Sequence, residues 1–261
     1  MAKVYLDPGH GGYDNGAVKY VTEDKVNLVM ALACRDYLKA NGVDVKMSRT
    51  TDTGTSINTM AREANNWGAD LVVSIHNNAG GGDGFEAFYS IVGGLSKTLA
   101  ANIEAEVKKI GQNSRGLKTK QNSEGNDYFG IIRLTEAPAV ILEGAFVDHK
   151  KDAAQIDTKA EQQAFGVAYA KGILKTLGIT PKTESSSKGS STKPSNAGYL
   201  VKVTVSALNI RSGPGTNYEK IGMITDKGVY TIVKKSGKWG LLKKGPKEGS
   251  SWIHLNYTKK V

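Results

Sequence analysis

Apolar residues along this chain fall into two alternating patterns over residues 1–178. Short β-rich runs cover residues 4–6, 43–48, 71–75, 85–91 and 139–142, and they alternate with segments of helical spacing. In residues 24–40, Val26, Val29, Met30, Ala33 and Tyr37 mark one helical face, and Gly42 follows as a stop signal. Residues 57–67, 96–110 and 160–177 read as further helices. The alternation predicts an α/β domain of three layers, an open, mostly parallel or mixed sheet flanked by helices. Phe85, Ala87 and Tyr89 alternate with polar residues, which suggests a strand nearer an edge.

The pattern changes after residue 178. Residues 180–197 are dominated by Ser, Thr, Lys, Gly and Pro, with almost nothing that can pack, so 179–197 reads as a linker. As a flexible coil its ends would lie roughly 20–25 Å apart. Residues 198–261 have no helical period; runs at 200–205, 208–211, 220–224, 229–235, 239–243 and 251–255, punctuated by Gly, predict a small all-β barrel.

Charge separates the two parts as well. The chain carries a net +10, yet residues 1–178 hold 20 Lys+Arg against 21 Asp+Glu, while residues 198–261 hold 12 against 3. The C-terminal part is therefore expected to meet a polyanionic partner. No stretch approaches the roughly 18 apolar residues of a membrane span. A strand beginning at residue 3 leaves no room for a signal peptide of about 15–30 residues, so storage in the cytoplasm is expected. A single cysteine, Cys34, excludes an internal disulfide framework and reads as a small buried hydrophobe.

The candidate chemistry sits where apolar runs end. Val4-Tyr5-Leu6 leads through Asp7-Pro8-Gly9 to His10, residues 71–75 lead to His76, Val140-Ile141-Leu142 leads to Glu143, and Thr22-Glu23 opens a helix. Taken singly, His10 reads as a loop residue, Glu23 as a helix-start charge and His76 as a hydrogen-bonded strand histidine. An unpaired Glu143 behind Ile141-Leu142 would be costly. Jointly, three strand ends facing one edge of an open α/β sheet form the usual place for a site. Two His and two Glu there suit a zinc hydrolase, with three protein ligands, one open position and a carboxylate to move protons. The glycines around 213–215 lack the Gly-Lys-Ser/Thr of a phosphate loop.

Five ordered motifs carry a resemblance over residues 1–178: Asp7-Pro8-Gly9-His10-Gly11-Gly12; Glu23 with Asn27-Leu28; Ser48-Arg49-Thr50; His76 with Asn78-Ala79; and Pro138-Ala139-Val140 with Glu143-Gly144 and Phe146. This segment resembles the zinc-dependent N-acetylmuramoyl-L-alanine amidases of bacterial autolysins and phage endolysins. The resemblance implies one Zn2+ held by His10, Glu23 and His76, and Glu143 as the catalytic carboxylate. It also implies peptidoglycan as substrate, with Asn78, Arg49 and Arg133 as candidate substrate contacts. For both arginines, surface or structural ion pairing is the alternative. Asn77 stands where a small residue is more usual, and His149 where the family tends to carry Asn. Residues 79–85 are too short for the autoinhibitory helix that some relatives insert, which implies an enzyme needing no activator.

Leu208-Asn209-Ile210-Arg211-Ser212-Gly213-Pro214, through Tyr218 to Ile221-Gly222, resembles bacterial SH3-type wall-binding modules. That implies wall contacts near Tyr218, Trp239 and Trp252. The basic charge adds anionic wall polymers as expected partners, and a monomer is expected although the sequence does not fix the oligomeric state. Two rival functions compete with this reading: a zinc peptidase cutting within stem peptides, and a non-enzymatic wall-binding protein. Nucleic acid is a weaker alternative for the basic module.

Overall fold

The computed structural model describes residues 1–181, 199–216, 218–247 and 249–261, which divide into two compact units, Met1–Ser186 and Ser187–Val261. Residues 182–197 of the expected linker lie outside the described residues, whereas Ile179 packs against the core of the first unit.

The first unit runs β1 (Lys3–Pro8), α1 (Glu23–Ala40), β2 (Asp44–Met47), α2 (Ile57–Trp67), β3 (Leu71–Asn78), β4 (Phe85–Tyr89), α3 (Gly94–Lys109), β5 (Ser114–Lys118), α4 (Gly130–Leu134), β6 (Ala139–Phe146), α5 (Lys150–Ala153) and α6 (Lys159–Thr176). Its sheet has the order β2-β1-β3-β6-β4-β5. All neighbours are parallel except β4 and β6, so the sheet is mixed. Alternate residues face opposite sides of a strand. Val4, Leu6, Val73, Ile75, Val140 and Leu142 face α1, α3 and α6 in the larger core. Tyr5, Val72, Ala139 and Ile141 face α2 and α4. Burial on both faces explains why these strands read as continuous apolar runs.

Two features position α1, whose first turn carries Glu23. A capping box at Thr158 and Glu161 starts α6. Gly166 then lets α6 lie directly on α1, since a Cβ there would come within 2.1 Å of the Met30 carbonyl oxygen. Cys34 is fully buried between these helices, as expected of a small hydrophobe.

One expectation needs correction. β3 and β6 continue past their apolar runs, so His76 and Glu143 lie inside strands and not at their ends. β4 lies next to the edge strand β5, as its alternation suggests, with Phe85 and Ala87 fully buried on one face. Elements β5, α4 and α5 have four or five residues each, too few to show a period.

The second unit is a seven-stranded antiparallel sheet. Its strands are β7 (Tyr199–Val203), β8 (Leu208–Arg211), β9 (Lys220–Ile224), β10 (Val229–Ser236), β11 (Trp239–Leu242), β12 (Trp252–His254) and β13 (Thr258–Lys260), in the order β13-β7-β10-β11-β12-β8-β9. Val201, Val203, Leu208, Ile210, Ile224, Ile232, Leu242 and Ile253 form its core. Among the described residues no β13–β9 pairing closes the sheet into a continuous barrel.

Candidate active site

β1 delivers the chain to Gly9 and His10 at the edge where β3 and β6 also end. His10 takes a left-handed conformation at φ 63°, an unusual one for a residue with a side chain. Gly9 makes the turn possible, because a Cβ there would sit 2.1 Å from the His76 ring. The His10 and His76 rings meet nearly perpendicular, with centroids 4.9 Å apart. Gly16, at φ 62°, leaves the space that a Cβ would fill 2.5 Å from Glu23 Oε2.

These backbone choices bring three side chains together. Glu23 Oε1 lies 3.2 Å from His10 Nε2 and 3.1 Å from His76 Nδ1. One donor atom from each residue falls within a 4.8 Å cluster. The surrounding shell fixes each ligand-type group. Asp14 Oδ2 holds His10 Nδ1 at 2.8 Å, which leaves Nε2 facing inward. The Ala17 N–H donates to Glu23 Oε2 at 2.9 Å, and the Asn77 N–H donates to Oε1 at 3.2 Å. The Asn77 side chain donates to Asn27, whose own amide donates to the Gly9 carbonyl. Asn77 therefore buttresses the cluster, which accounts for a larger residue at that position.

The electrostatics of the cluster favour positive charge. Hydrogen bonding to Glu23 leads the rise of the His10 pKa to about 9, against the opposing effect of burial. Burial pulls His76 down, but its hydrogen bond to Glu23 and the nearby carboxylates carry it above the ordinary histidine value. Burial pushes Glu23 up, yet both imidazoles overcome this and hold it well below the carboxylate range. Two imidazoles and a carboxylate in a glycine-lined cradle fit a zinc-type cation, which would take the place of these protons.

Glu143 stands directly opposite His76 in the β3–β6 register, on the same face. Burial, reinforced by the charges of Glu23 and Glu86, pushes its pKa up to about 7 against the opposing pull of the two histidines. A carboxyl poised there can both accept and return a proton near neutrality. Beside it opens a cavity of about 360 Å³, polar at Asp7, Ser48 and Ser74 and apolar at Ile57, Met60, Phe129 and Ile131. Asp7, on its floor, accepts hydrogen bonds from both serine hydroxyls at 2.7 Å.

The other expected contacts are placed differently. Arg49 lines the cavity but is buried, and its guanidinium donates to the carbonyls of Pro8, Gly9, Asp24 and Thr51. Arg133 donates to the carbonyls of Asp127 and Tyr128. Both arginines hold loops through backbone carbonyls, not through ion pairs. Asn78 donates to Glu86 and accepts from the Ala79 N–H. His149 precedes α5, its Nδ1 3.6 Å from Asp83 Oδ1, in a second cluster with Asp152. Asp152 there is occupied by the N–H groups of Gly84 and Phe146, so it ties two loops together. No helix occurs in the six residues joining β3 to β4.

In the second unit Trp252 is 7% exposed and belongs to the interior. Trp239 is half-buried, edge-on to His254 at 5.0 Å. The Tyr218 ring covers Gly213, where a Cβ would come within 2.1 Å of it.

A mixed α/β sheet with two imidazoles and a carboxylate converging beside a separate, protonatable carboxylate has the layout of a hydrolase that pairs a cation with an acid–base residue. Residues 4–175 match the N-acetylmuramoyl-L-alanine amidase family, and the chain belongs to that family. It is 35% identical over 217 residues to the sporulation-specific N-acetylmuramoyl-L-alanine amidase of Bacillus subtilis (strain 168), covering 81% of this chain and 77% of that one. It is 33% identical over 203 residues to the endolysin of Bacillus phage SPP1, covering 74% and 72% respectively. The catalytic domain of CwlV, an N-acetylmuramoyl-L-alanine amidase from Bacillus (Paenibacillus) polymyxa var. colistinus, superposes with a TM-score of 0.63 at 30% identity, covering 69% of this chain and all of that one.

Proposed function

We propose that this amidase is zinc-dependent and of the endolysin type. It would cleave the bond between the muramoyl lactyl group and L-alanine, while its second unit attaches to the wall. The observation carrying the proposal is the convergence of His10 Nε2, Glu23 Oε1 and His76 Nδ1 with Glu143 in register beside them. His10, Glu23 and His76 would hold the metal, and Asp14 and Asn77 would keep His10 and Glu23 oriented. Zinc bound there supplies Lewis acidity, polarising the amide carbonyl and acidifying a water molecule. Glu143 takes the proton of the attacking water and returns it to the departing L-alanine nitrogen. Protonation of that nitrogen is needed because an amide anion is a poor leaving group. The endolysin reading draws on the similarity to a phage endolysin and carries with it cytoplasmic storage until lysis.

Digestion of purified walls should release L-alanine amino groups and leave the glycan chains and the stem peptides uncut. New amino groups on other stem residues would assign the chain to the peptidases instead.

Attachment is expected to be partly electrostatic, because residues 198–261 carry 12 Lys+Arg against 3 Asp+Glu. Exposed charges are screened within about 8–10 Å at physiological salt. Binding of the full-length Glu143→Gln chain to walls should therefore weaken as salt rises, and should weaken at low salt when anionic polymers are stripped. Residual binding at high salt would come from the half-buried Trp239 and the exposed Tyr257. Binding indifferent to both treatments would reduce the basic charge to a solubility feature.

A further inference from the structure

One polar row on the face of the sheet that bears Glu143 is not used by the chemistry above. Glu143 on β6 pairs with Glu86 on β4. Phe85 and Ala87 pair with Ser114 and Leu117 on β5, which places Arg115 and Gly116 opposite Glu86. Glu86 is 4% exposed. Its Oε1 accepts from Arg115 Nε and, at 2.6 Å, from Lys118 Nζ, while Oε2 accepts from Asn78. One buried carboxylate against two cations leaves a net positive charge at this spot. The two cations are not consumed by that contact. Their side chains are 44% and 36% exposed, and the Arg115 guanidinium lies over the Phe146 ring at 5.3 Å. Its terminal Nη1 and Nη2 make no hydrogen bond among the described residues, so the fork that recognises carboxylates is open.

We propose that Arg115 and Lys118 form the subsite for the carboxylate on the second residue of the stem peptide. The proposal rests on the amidase reading and extends it. The sheet order β3-β6-β4-β5 is what the subsite follows from. With the scissile carbonyl at the His10–Glu23–His76 cluster and the leaving nitrogen at Glu143, opposite His76, the peptide beyond that nitrogen would run over β4 towards β5. Neighbouring strands lie about 4.8 Å apart, so β5 is roughly 10 Å from β6. Two extended residues span about 7 Å, and the long Arg115 and Lys118 side chains cover the difference. The second residue of the stem is a D-glutamate joined through its γ-carboxyl, so its α-carboxyl is either free or amidated. A cationic subsite distinguishes the two forms. Asn78 is then a positioning residue, holding Glu86 between the strands so that Glu86 in turn aligns both cations.

The test uses the full chain with N-acetylmuramoyl-L-alanyl-γ-D-glutamyl-L-lysine and its counterpart in which the D-glutamate α-carboxyl is amidated as separate substrates. The parent protein should favour the free acid by about tenfold in kcat/KM, mainly through KM, with the preference shrinking as salt rises. Arg115→Gln with Lys118→Gln should lower kcat/KM on the acid about tenfold more than on the amide, and Lys118→Arg should keep most of the preference. A parent that treats both substrates alike overturns the proposal without any variant. So do variants that lower both substrates equally, because that result assigns the pair a structural role through Glu86. If the parent releases L-alanine amine from neither substrate nor from walls, the amidase reading itself has failed and the subsite falls with it.

Discussion

Replacing Glu143 with Gln is expected to lower turnover by about 10²–10⁴ while leaving metal content and fold intact. The amide keeps the shape and hydrogen-bonding reach of the carboxyl but cannot accept the proton of the attacking water. The same substitution has a stability consequence whose sign follows from burial. Burial raises the Glu143 pKa from 4.5 to about 7. The stability associated with its neutral form is therefore fully present below pH 4.5 and is lost as pH rises through about 7. Gln removes that loss. Metal-free Glu143→Gln should melt above the metal-free parent at pH 8, and the two should converge near pH 4. Thermal melts in chelator at both pH values, with metal analysis of the untreated proteins, check both parts. Loss of zinc from the Glu143→Gln protein would move Glu143 from acid–base residue to ligand. A lower melting point at pH 8 would show that the carboxylate is paired and not merely buried.

The legible parts of this molecule were those with long period or rigid local chemistry. β1, β3 and β6 showed as apolar runs because both faces of the sheet are covered, and α1 showed through its helical face and Gly42. His10, His76 and Glu143 stood out because each follows such a run, and Glu23 because it opens α1. Their mutual geometry was not legible. That Glu23 Oε1 would bridge two imidazoles depends on α1 packing on α6 through Gly166, a contact between residues far apart in sequence. Arg115 and Lys118 were missed because β5 has five residues, only partly buried, and its pairing with β4 is long-range. For Arg49 the sequence leaves substrate contact and ion pairing both open, because it shows the charge and not the carbonyls that the Pro8–Gly9 turn exposes to it. Trp252 was misplaced for the converse reason. In a strand of three residues, nothing local tells the inward face from the outward one.

Stripping the metal is expected to abolish activity, and one equivalent of zinc should restore it. His76→Ala and His10→Ala should each lose the metal and the activity, because either change leaves two donors where a catalytic zinc site uses three. The pH dependence distinguishes this cluster from a histidine pair that merely hydrogen-bonds a glutamate. In the metal-free protein, hydrogen bonding to Glu23 raises His10 from 6.5 to about 9. Its contribution to stability is thus fully present below about pH 6.5 and is lost as pH rises through about 9. Zinc needs the same nitrogen without its proton, so apparent zinc affinity should climb from pH 6.5 to 9, by up to about tenfold per pH unit for each proton displaced. The two trends oppose each other. Metal-free protein should melt at lower temperature as pH rises across this window, while the gain in melting temperature on adding zinc should grow. At a free zinc concentration about 100 times Kd that gain corresponds to about 2.7 kcal/mol. Calorimetric titration with zinc in two buffers of different ionisation enthalpy counts the released protons, and His10→Ala should release fewer. Proton release unchanged in His10→Ala, or activity that survives exhaustive chelation with no metal detected, would remove the cation from this site.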